Sequence, residues 1–145
     1  MNLVPADSPH LRERAEDVFE VNDDVRAIAA DMLALMYAKN GIGLAANQVG
    51  ILTRIIVIDL SREKNNAVVM INPTILKATG EQTYPEGCLS FPGRKVEVTR
   101  AARVKVRYQD EDGDSRTIKA SALFAQCIQH EIDHLNGICI GESHP

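Results

Sequence analysis

The amino-acid sequence predicts an α+β fold in which mixed, mainly antiparallel sheets wrap around a helix near the end of the chain. Three observations predict it: a helical pattern comes first, a group of strands with alternating apolar and polar side chains follows, and a second helical pattern comes last. The chain has 145 residues, of which 45% are hydrophobic. That is enough for one hydrophobic core, so we expect a single domain over residues 1–145.

The first helix is predicted to follow an irregular arm over residues 1–20 that contains one or two helical turns. Asn22 and Asp23 are favourable N-terminal caps, and apolar side chains then recur at helical spacing up to Met36. The helix should end near Gly41, because glycine readily takes the left-handed conformation that closes a helix. Residues 41–50 carry little side-chain bulk, so we expect close approach of backbone or ligand there and no helix.

The middle of the chain is predicted to form the sheets. Residues 54–60 and 67–71 are apolar and β-branched, with a polar turn between them. Residues 96–98 and 104–108 alternate valine with polar side chains, which is typical of half-buried antiparallel strands. Asp112-Gly113 marks a hairpin turn before a strand at residues 116–119. Ser121 is then in place to cap the final helix.

Composition limits the class of partner. The formal net charge is −4 and no basic stripe offsets the acidic excess, so nucleic acid is not expected as the main ligand. No apolar run approaches the ~20 residues that span a bilayer, and residues 1–10 lack the pattern of a secretion signal. We therefore expect a cytoplasmic protein without membrane contact. Its three cysteines indicate metal ligands or core residues rather than disulfides.

The final helix carries the most informative motif, His-Glu-x-x-His at residues 130–134. Side chains four residues apart lie on one face of a helix, so His130 and His134 can direct two imidazoles at one metal ion. Glu131 would then be the carboxylate that moves protons beside the metal. The motif alone predicts metal-assisted chemistry without specifying the reaction.

Two imidazoles do not suffice for a catalytic metal, which usually has three protein ligands and one open position. Cys127 is close in sequence, but it lies about 10 Å from His134 along a helix axis. We interpret Cys127 as a small buried apolar side chain beside the site.

A third ligand from upstream is the better prediction, and Cys88 is the candidate there. Cys139 is a weaker alternative. Glu142 and His144 stay open on spacing alone.

Three separated segments together resemble the signature motifs of the peptide deformylase family, in order and in spacing. They are Gly41-Ile42-Gly43-Leu44-Ala45-Ala46-Asn47-Gln48, Glu86-Gly87-Cys88-Leu89-Ser90 and Gln129-His130-Glu131-Ile132-Asp133-His134-Leu135. The resemblance extends over about residues 22–137. It implies the fold expected above and an enzyme, a metal-dependent hydrolase that removes the formyl group from the N-terminal formylmethionine of nascent polypeptides and releases formate.

The resemblance implies that Cys88, His130 and His134 ligate one divalent ion per chain. Fe²⁺ is expected, with Zn²⁺, Ni²⁺ or Co²⁺ as alternatives, because a Cys/His/His set suits several of these metals.

It also assigns roles around the ion. Glu131 is expected to take a proton from water and to deliver one to the leaving amine. The Gln48 side-chain amide and the Leu89 backbone N–H are expected to stabilise the oxyanion formed at the formyl carbon, and Gly43 to let the peptide backbone approach. Residues at positions that line the methionine pocket are Ile42, Tyr84, Glu86, Leu123 and Cys127, whereas Gln126 stands at a position that is more usually apolar.

Asp133 raises a separate expectation. It lies in the metal helix but faces away from His134, and a carboxylate buried there needs a partner. The resemblance favours Arg100 as that partner, with Arg103 as the alternative. Residues 138–140 are expected to add at most one short strand.

The expected partners are formylmethionyl peptides and nascent chains, in a bacterial or phage-infected bacterial cell, with no direct nucleic-acid site. Many bacterial members of the family continue into a long C-terminal helix that is linked to ribosome docking, whereas this sequence stops at Pro145. Activity on free peptides and weak ribosome association are therefore expected. Two alternatives are a non-catalytic binder of formylated or methionyl N-termini and a small metallopeptidase that cuts internal bonds.

Overall fold

The computed structural model describes residues 1–140 and contains two α-helices, two short 3₁₀ helices and seven strands. The α-helices are α1 (Asp23–Ala38) and α2 (Ala122–Leu135), and the 3₁₀ helices are Pro9–Arg12 and Ala46–Val49. The strands are β1 (Gly43–Ala45), β2 (Ile55–Ile58), β3 (Val68–Thr79), β4 (Gln82–Cys88), β5 (Phe91–Arg100), β6 (Arg103–Gln109) and β7 (Ser115–Ser121).

Antiparallel pairing organises these strands into two sheets around α2. The larger sheet has the order β1-β2-β3-β6-β7, and β4 pairs with β5 in a separate hairpin. Apolar side chains of α2, including Ile128 and Leu135, share a buried cluster with Val106 of the larger sheet. A second cluster joins α1 to the other face of β2. The α+β prediction is confirmed.

Helix α1 begins where the sequence predicts and ends differently. The Asn22 side chain accepts a hydrogen bond from the Val25 N–H, which caps the first turn. At the other end Asn40, not Gly41, takes the left-handed conformation, with φ 58°. Gly41 lies against Leu89, and a Cβ there would lie 2.6 Å from Leu89 Cδ1, so a larger residue would displace the Leu89 side chain.

The hairpin formed by β4 and β5 contains the strand predicted at residues 96–98 and extends well beyond it. Cys88 is the last residue of β4, and Leu89 and Ser90 form the turn. Gly87 pairs with Lys95 whereas Cys88 pairs with Phe91, so β5 bulges by three residues there. Proline is tolerated in such a hairpin because edge strands leave backbone N–H groups unpaired.

Other local expectations also need correction. A 3₁₀ helix follows β1 where no helix was predicted. Ser121 occupies the cap position of α2, but its hydroxyl makes no capping hydrogen bond, and Ala122 takes a φ of 52°. Residues 138–140 form no strand, and within them Cys139 and Ile140 are buried.

The C-terminal end of α2 is fixed by the irregular arm. The Leu135 carbonyl accepts hydrogen bonds from the Ala15 N–H at 2.7 Å and from Arg54 Nη1 at 3.1 Å. Arg54 is 6% exposed and also donates to the Asn136 side chain at 2.9 Å. The last carbonyls of the helix therefore have partners although they are buried.

In the described part of the chain, neither α1 nor α2 has the length and apolarity needed to cross a bilayer.

Candidate metal centre and active site

Three side chains that can bind a metal converge where the end of β4 meets α2. The ligand atoms of Cys88, His130 and His134 all lie within 4.8 Å of one another. Cys88 Sγ is 3.3 Å from His134 Nε2, and the two imidazole centroids are 4.9 Å apart. One helix face supplies both imidazoles and the hairpin supplies the thiol, so the fold brings together the residues that the resemblance implies.

The donor set fits a divalent transition metal. One thiol and two imidazoles are ligands that zinc, iron, nickel and cobalt accept. Beside this cluster the buried Glu131 Oε1 has no hydrogen-bond partner among residues 1–140. Buried polar atoms are normally satisfied, so this carboxylate oxygen is available to a group that enters the site.

A network of charges holds His130 in place. Glu86 Oε1 lies 2.7 Å from His130 Nδ1, which leaves Nε2 to face the cluster. Arg100 donates to both Glu86 oxygens, at 2.6 and 2.9 Å, and to Asp133 Oδ2 at 2.7 Å. The predicted Asp133–Arg100 pair is confirmed, and Arg103 lies on the outer face of the sheet.

Charges around the two histidines are unequal. Although burial opposes it, the hydrogen bonds from Arg100 and His130 lower the pKa of Glu86 to about 2. Burial also disfavours the charged form of His130, but Glu131, Cys88 and Glu86 outweigh it and raise its pKa to about 10. Burial lowers the pKa of His134 to about 3. Glu86 and Glu131 therefore favour a positive charge on His130, whereas burial favours the neutral form of His134.

Glu131 lies deep in the site and packs on the glycine segment. A Cβ on Gly43 would lie 2.5 Å from Glu131 Oε2, so only glycine fits there without displacing the carboxylate. Burial raises the pKa of Glu131 to about 7. A carboxyl with that pKa can both accept and donate a proton near neutral pH.

The Gln48 side chain is oriented by its own backbone segment. Its Oε1 accepts a hydrogen bond from the Ala45 N–H at 2.9 Å. Its amide nitrogen is thereby directed at Cys88 Sγ, 3.3 Å away, and at Ser90 Oγ, 3.0 Å away. Gln48 is 1% exposed, so this donor is held in a fixed position beside the cluster.

A cavity of about 710 Å³ opens onto these residues. Of the predicted pocket residues, those that line it are Ile42, Gly43, Glu86, Leu123 and Cys127, together with Leu89. Tyr84 lies on β4 and is not among the described residues that line the cavity. Burial raises the pKa of Cys127 to about 12, so this thiol stays neutral and acts as an apolar wall.

Other candidate ligands lie elsewhere. Cys139 donates its thiol hydrogen to the Leu11 carbonyl at 3.5 Å, in the core. Glu142 and His144 fall outside the described residues.

Sequence reasoning missed three contributions. Glu86 was expected only in the pocket wall, but it also orients His130. Gln126 is 1% exposed and donates to Glu86 and, at 3.0 Å, to the Val98 carbonyl. Ser90 accepts from Gln48. Ser90 belongs to the second signature segment, which was a usable signal, whereas the Gln126 contacts depend on how α2 packs against the hairpin.

Comparison with known proteins agrees with this geometry. A family model described as polypeptide deformylase matches residues 1–143. The chain belongs to the polypeptide deformylase family. A peptide deformylase of Neisseria gonorrhoeae is 44% identical over 142 residues, which cover 98% of this chain and 85% of that protein.

Two further matches define the extent of the similarity. A peptide deformylase of Prochlorococcus marinus is 49% identical over 132 residues, which cover 89% of this chain but only 65% of that relative. The crystal structure of a peptide deformylase from Synechococcus elongatus in complex with actinonin superposes with a TM-score of 0.93. It is 41% identical, and the match covers 99% of this chain and 78% of that one.

Proposed function

We propose that this protein is a peptide deformylase, which hydrolyses the formyl amide of N-terminal formylmethionine and releases formate. The observation that supports it most directly is the convergence of Cys88, His130 and His134 with Glu131 and Gln48 around one cavity. Family membership supports the reaction, and the proximity of these side chains supports the role proposed for each.

A divalent ion held by Cys88, His130 and His134 would supply Lewis-acid polarisation of the formyl carbonyl and of water. We infer Fe²⁺ as the native ion, with Zn²⁺, Ni²⁺ and Co²⁺ as substitutes, because the thiol and imidazole donors suit each of them. Glu86 fixes the His130 ring through Nδ1, which positions that ligand.

Glu131 handles the proton in this scheme. Its carboxylate accepts a proton from the attacking water and then donates one to the amine of methionine, which leaves as the amide bond breaks. The buried position favours both steps, because it keeps the pKa of Glu131 near 7 and leaves Oε1 without a partner among residues 1–140.

Gln48 and the Leu89 backbone N–H stabilise the negative charge that develops on the formyl oxygen. The Gln48 amide is held by the Ala45 N–H before substrate arrives, so little reorganisation is needed in the transition state. Removing one donor of this kind typically costs ~10²–10³ in rate.

The methionine side chain is proposed to lie between Leu123 and Cys127, with Ile42 at the mouth of the cavity. Leu123 and Ile42 are 41% and 45% exposed and both line the cavity, so they offer apolar surface to a side chain bound there. Tyr84 is proposed for the same pocket only on the strength of the resemblance. Formylated chains are made in the cytoplasm of bacteria, which is where we place the protein.

Formate release tests the proposal directly. Protein prepared without oxygen and loaded with Fe²⁺ should release formate from formyl-Met-Ala-Ser. It should leave acetyl-Met-Ala-Ser intact, because the acetyl group carries a methyl group where the formyl carbon carries only hydrogen. Binding of the formyl peptide without formate release would favour the non-catalytic binder. Cleavage of an internal bond would favour the metallopeptidase.

A further inference from the structure

The exposed face of the larger sheet carries charge of only one sign. The register of β3, β6 and β7 places nine residues of this face in three cross-strand rows. The rows are Thr74–Arg107–Thr117, Lys77–Lys105–Lys119 and Thr79–Arg103–Ser121. These nine positions, which we call the cationic face, hold five cations, four hydroxyls and no carboxylate.

The cationic face is turned away from the metal centre. Residues that alternate with it along the strands, Val104, Val106 and Ala120, are buried against apolar side chains of α2. The sheet therefore separates the five cations from His130 and His134. Anything bound to this face leaves the cavity open.

Solubility does not explain the arrangement. Like charges directly opposite each other across a sheet destabilise it, and a solubilising surface normally mixes both signs. Here Lys105 stands between Lys77 and Lys119, in a protein whose net charge is −4. Within residues 1–140, none of these three lysines forms an ion pair with a carboxylate. The repulsion is uncompensated, which indicates a missing anionic partner.

We propose that the cationic face binds the sugar–phosphate backbone of folded RNA. Lysine, arginine and hydroxyl side chains are the groups that contact phosphates and 2′-hydroxyls. Along β6, Arg103, Lys105 and Arg107 recur about every 7 Å, at roughly 3.4 Å per residue, so they meet successive backbone groups rather than one. The expectation against nucleic acid rested on total charge and on the absence of a basic stripe in the sequence, whereas these cations come together only when β3, β6 and β7 pair.

The composition of the face favours an RNA duplex over single-stranded nucleic acid and over a membrane surface. It has no aromatic side chain on which the bases of a single strand could stack. Leu76 is the large apolar side chain exposed beside it, 43% accessible, and one such residue gives little insertion into a membrane. Binding should be independent of sequence and strongly dependent on salt, because it uses the sugar–phosphate backbone and no base edge.

The test measures binding of a fluorescently labelled 20-base-pair RNA duplex by anisotropy at several salt concentrations. If three to five phosphates are contacted, affinity should fall on the order of 100-fold between 50 and 200 mM salt. Lys105→Gln should weaken binding about tenfold at 50 mM salt and reduce the salt slope by about one. Arg62→Gln is the control. It removes the same charge from the exposed turn between β2 and β3, outside the cationic face, and should leave affinity within about twofold.

Several results would overturn the proposal. One is no duplex binding by the wild-type protein at 100 µM and 50 mM salt. Another is an equal loss in Lys105→Gln and Arg62→Gln, which would reduce the effect to net charge. Tighter binding to vesicles containing anionic phospholipid than to RNA would assign the face to a membrane instead. Formate release should be the same in both variants, because neither residue lines the cavity. The RNA-binding proposal and the proposed deformylase activity can therefore fail independently of each other.

Discussion

Two groups of side chains in this protein meet the same distance condition for a metal site, yet they differ in every other respect. The ligand atoms of Cys88, His130 and His134 lie within 4.8 Å of one another, as do the carboxylate oxygens of Asp110, Asp112 and Asp114. The first group lies between sheet and helix, with both histidines buried, and the second lies in the exposed turn between β6 and β7.

What separates them is where the ligand atoms lie. Asp110 accepts hydrogen bonds from the N–H groups of Asp112 and Asp114 and from Arg116 Nε at 2.7 Å, so this carboxylate already holds the turn together. In the buried group, a thiol from a hairpin and two imidazoles from one helix face meet beside Glu131, whose buried Oε1 has no partner within residues 1–140. Exposed acidic groups are common without an ion, whereas burying several polar ligand atoms together is costly unless they have something to bind.

Removing the thiol should have the largest effect. Cys88→Ala leaves two imidazoles, which rarely retain a catalytic ion, so metal content should fall from about one ion per chain towards zero. Cys127→Ala and Cys139→Ala are matched controls that should keep the ion. Elemental analysis of the three purified proteins checks this. Full metal content in Cys88→Ala would mean that another residue is the third ligand.

Glu131→Gln should separate metal binding from turnover. The amide is nearly isosteric but cannot take up a proton, so formate release should fall by ~10²–10⁴ or more while metal content is retained. Measurement of kcat and of bound metal on the same sample checks both. Near-normal kcat in this variant would remove Glu131 from the mechanism.

Arg100→Gln should destabilise the protein by about 3–5 kcal/mol, because it leaves two carboxylates without their buried cation. Arg100 is 9% exposed and bonds both Glu86 and Asp133. Urea unfolding measures the loss. Arg103→Gln, on the exposed face of the same sheet, is the control and should change stability by less than about 0.5 kcal/mol. Equal effects in the two variants would contradict the structural role of the buried network.

Substitution in the acidic turn should have the smallest effect, and that effect should depend on pH. The hydrogen bond from Arg116 lowers the pKa of Asp110 below its ordinary value, so its stabilising contribution is present above about pH 4 and is lost as the pH falls below that. Asp110→Asn should therefore lower the melting temperature slightly at pH 7, and by less at pH 3. A larger difference at pH 3, or a loss of bound metal at pH 7, would overturn this view of the turn.

The sequence predicted the chemistry of the centre better than its surroundings. His130 and His134 follow from helical spacing, and Cys88 from the second signature segment, since both are local patterns. The orientation of His130 by Glu86 depends on the register of β4 against α2, which no local pattern encodes. Likewise Asn40, not Gly41, takes the left-handed conformation at the end of α1, and Gly41 packs against Leu89, a contact between distant segments that no local pattern predicts. The cationic face is visible only once strands are paired.

The attachment of Arg54 has a consequence for local opening of the molecule. Its guanidinium bonds the Ala15 carbonyl in the arm and the Leu135 carbonyl at the end of α2, while Asn47 holds the arm through the Glu13 carbonyl at 2.8 Å. The arm cannot fray alone, because its release exposes the last turn of α2 and the buried arginine together. The amides of Ala15 and of the last turn of α2 should therefore exchange with deuterium as one cooperative unit, and a protease that cuts within residues 13–16 would loosen the helix that carries His134.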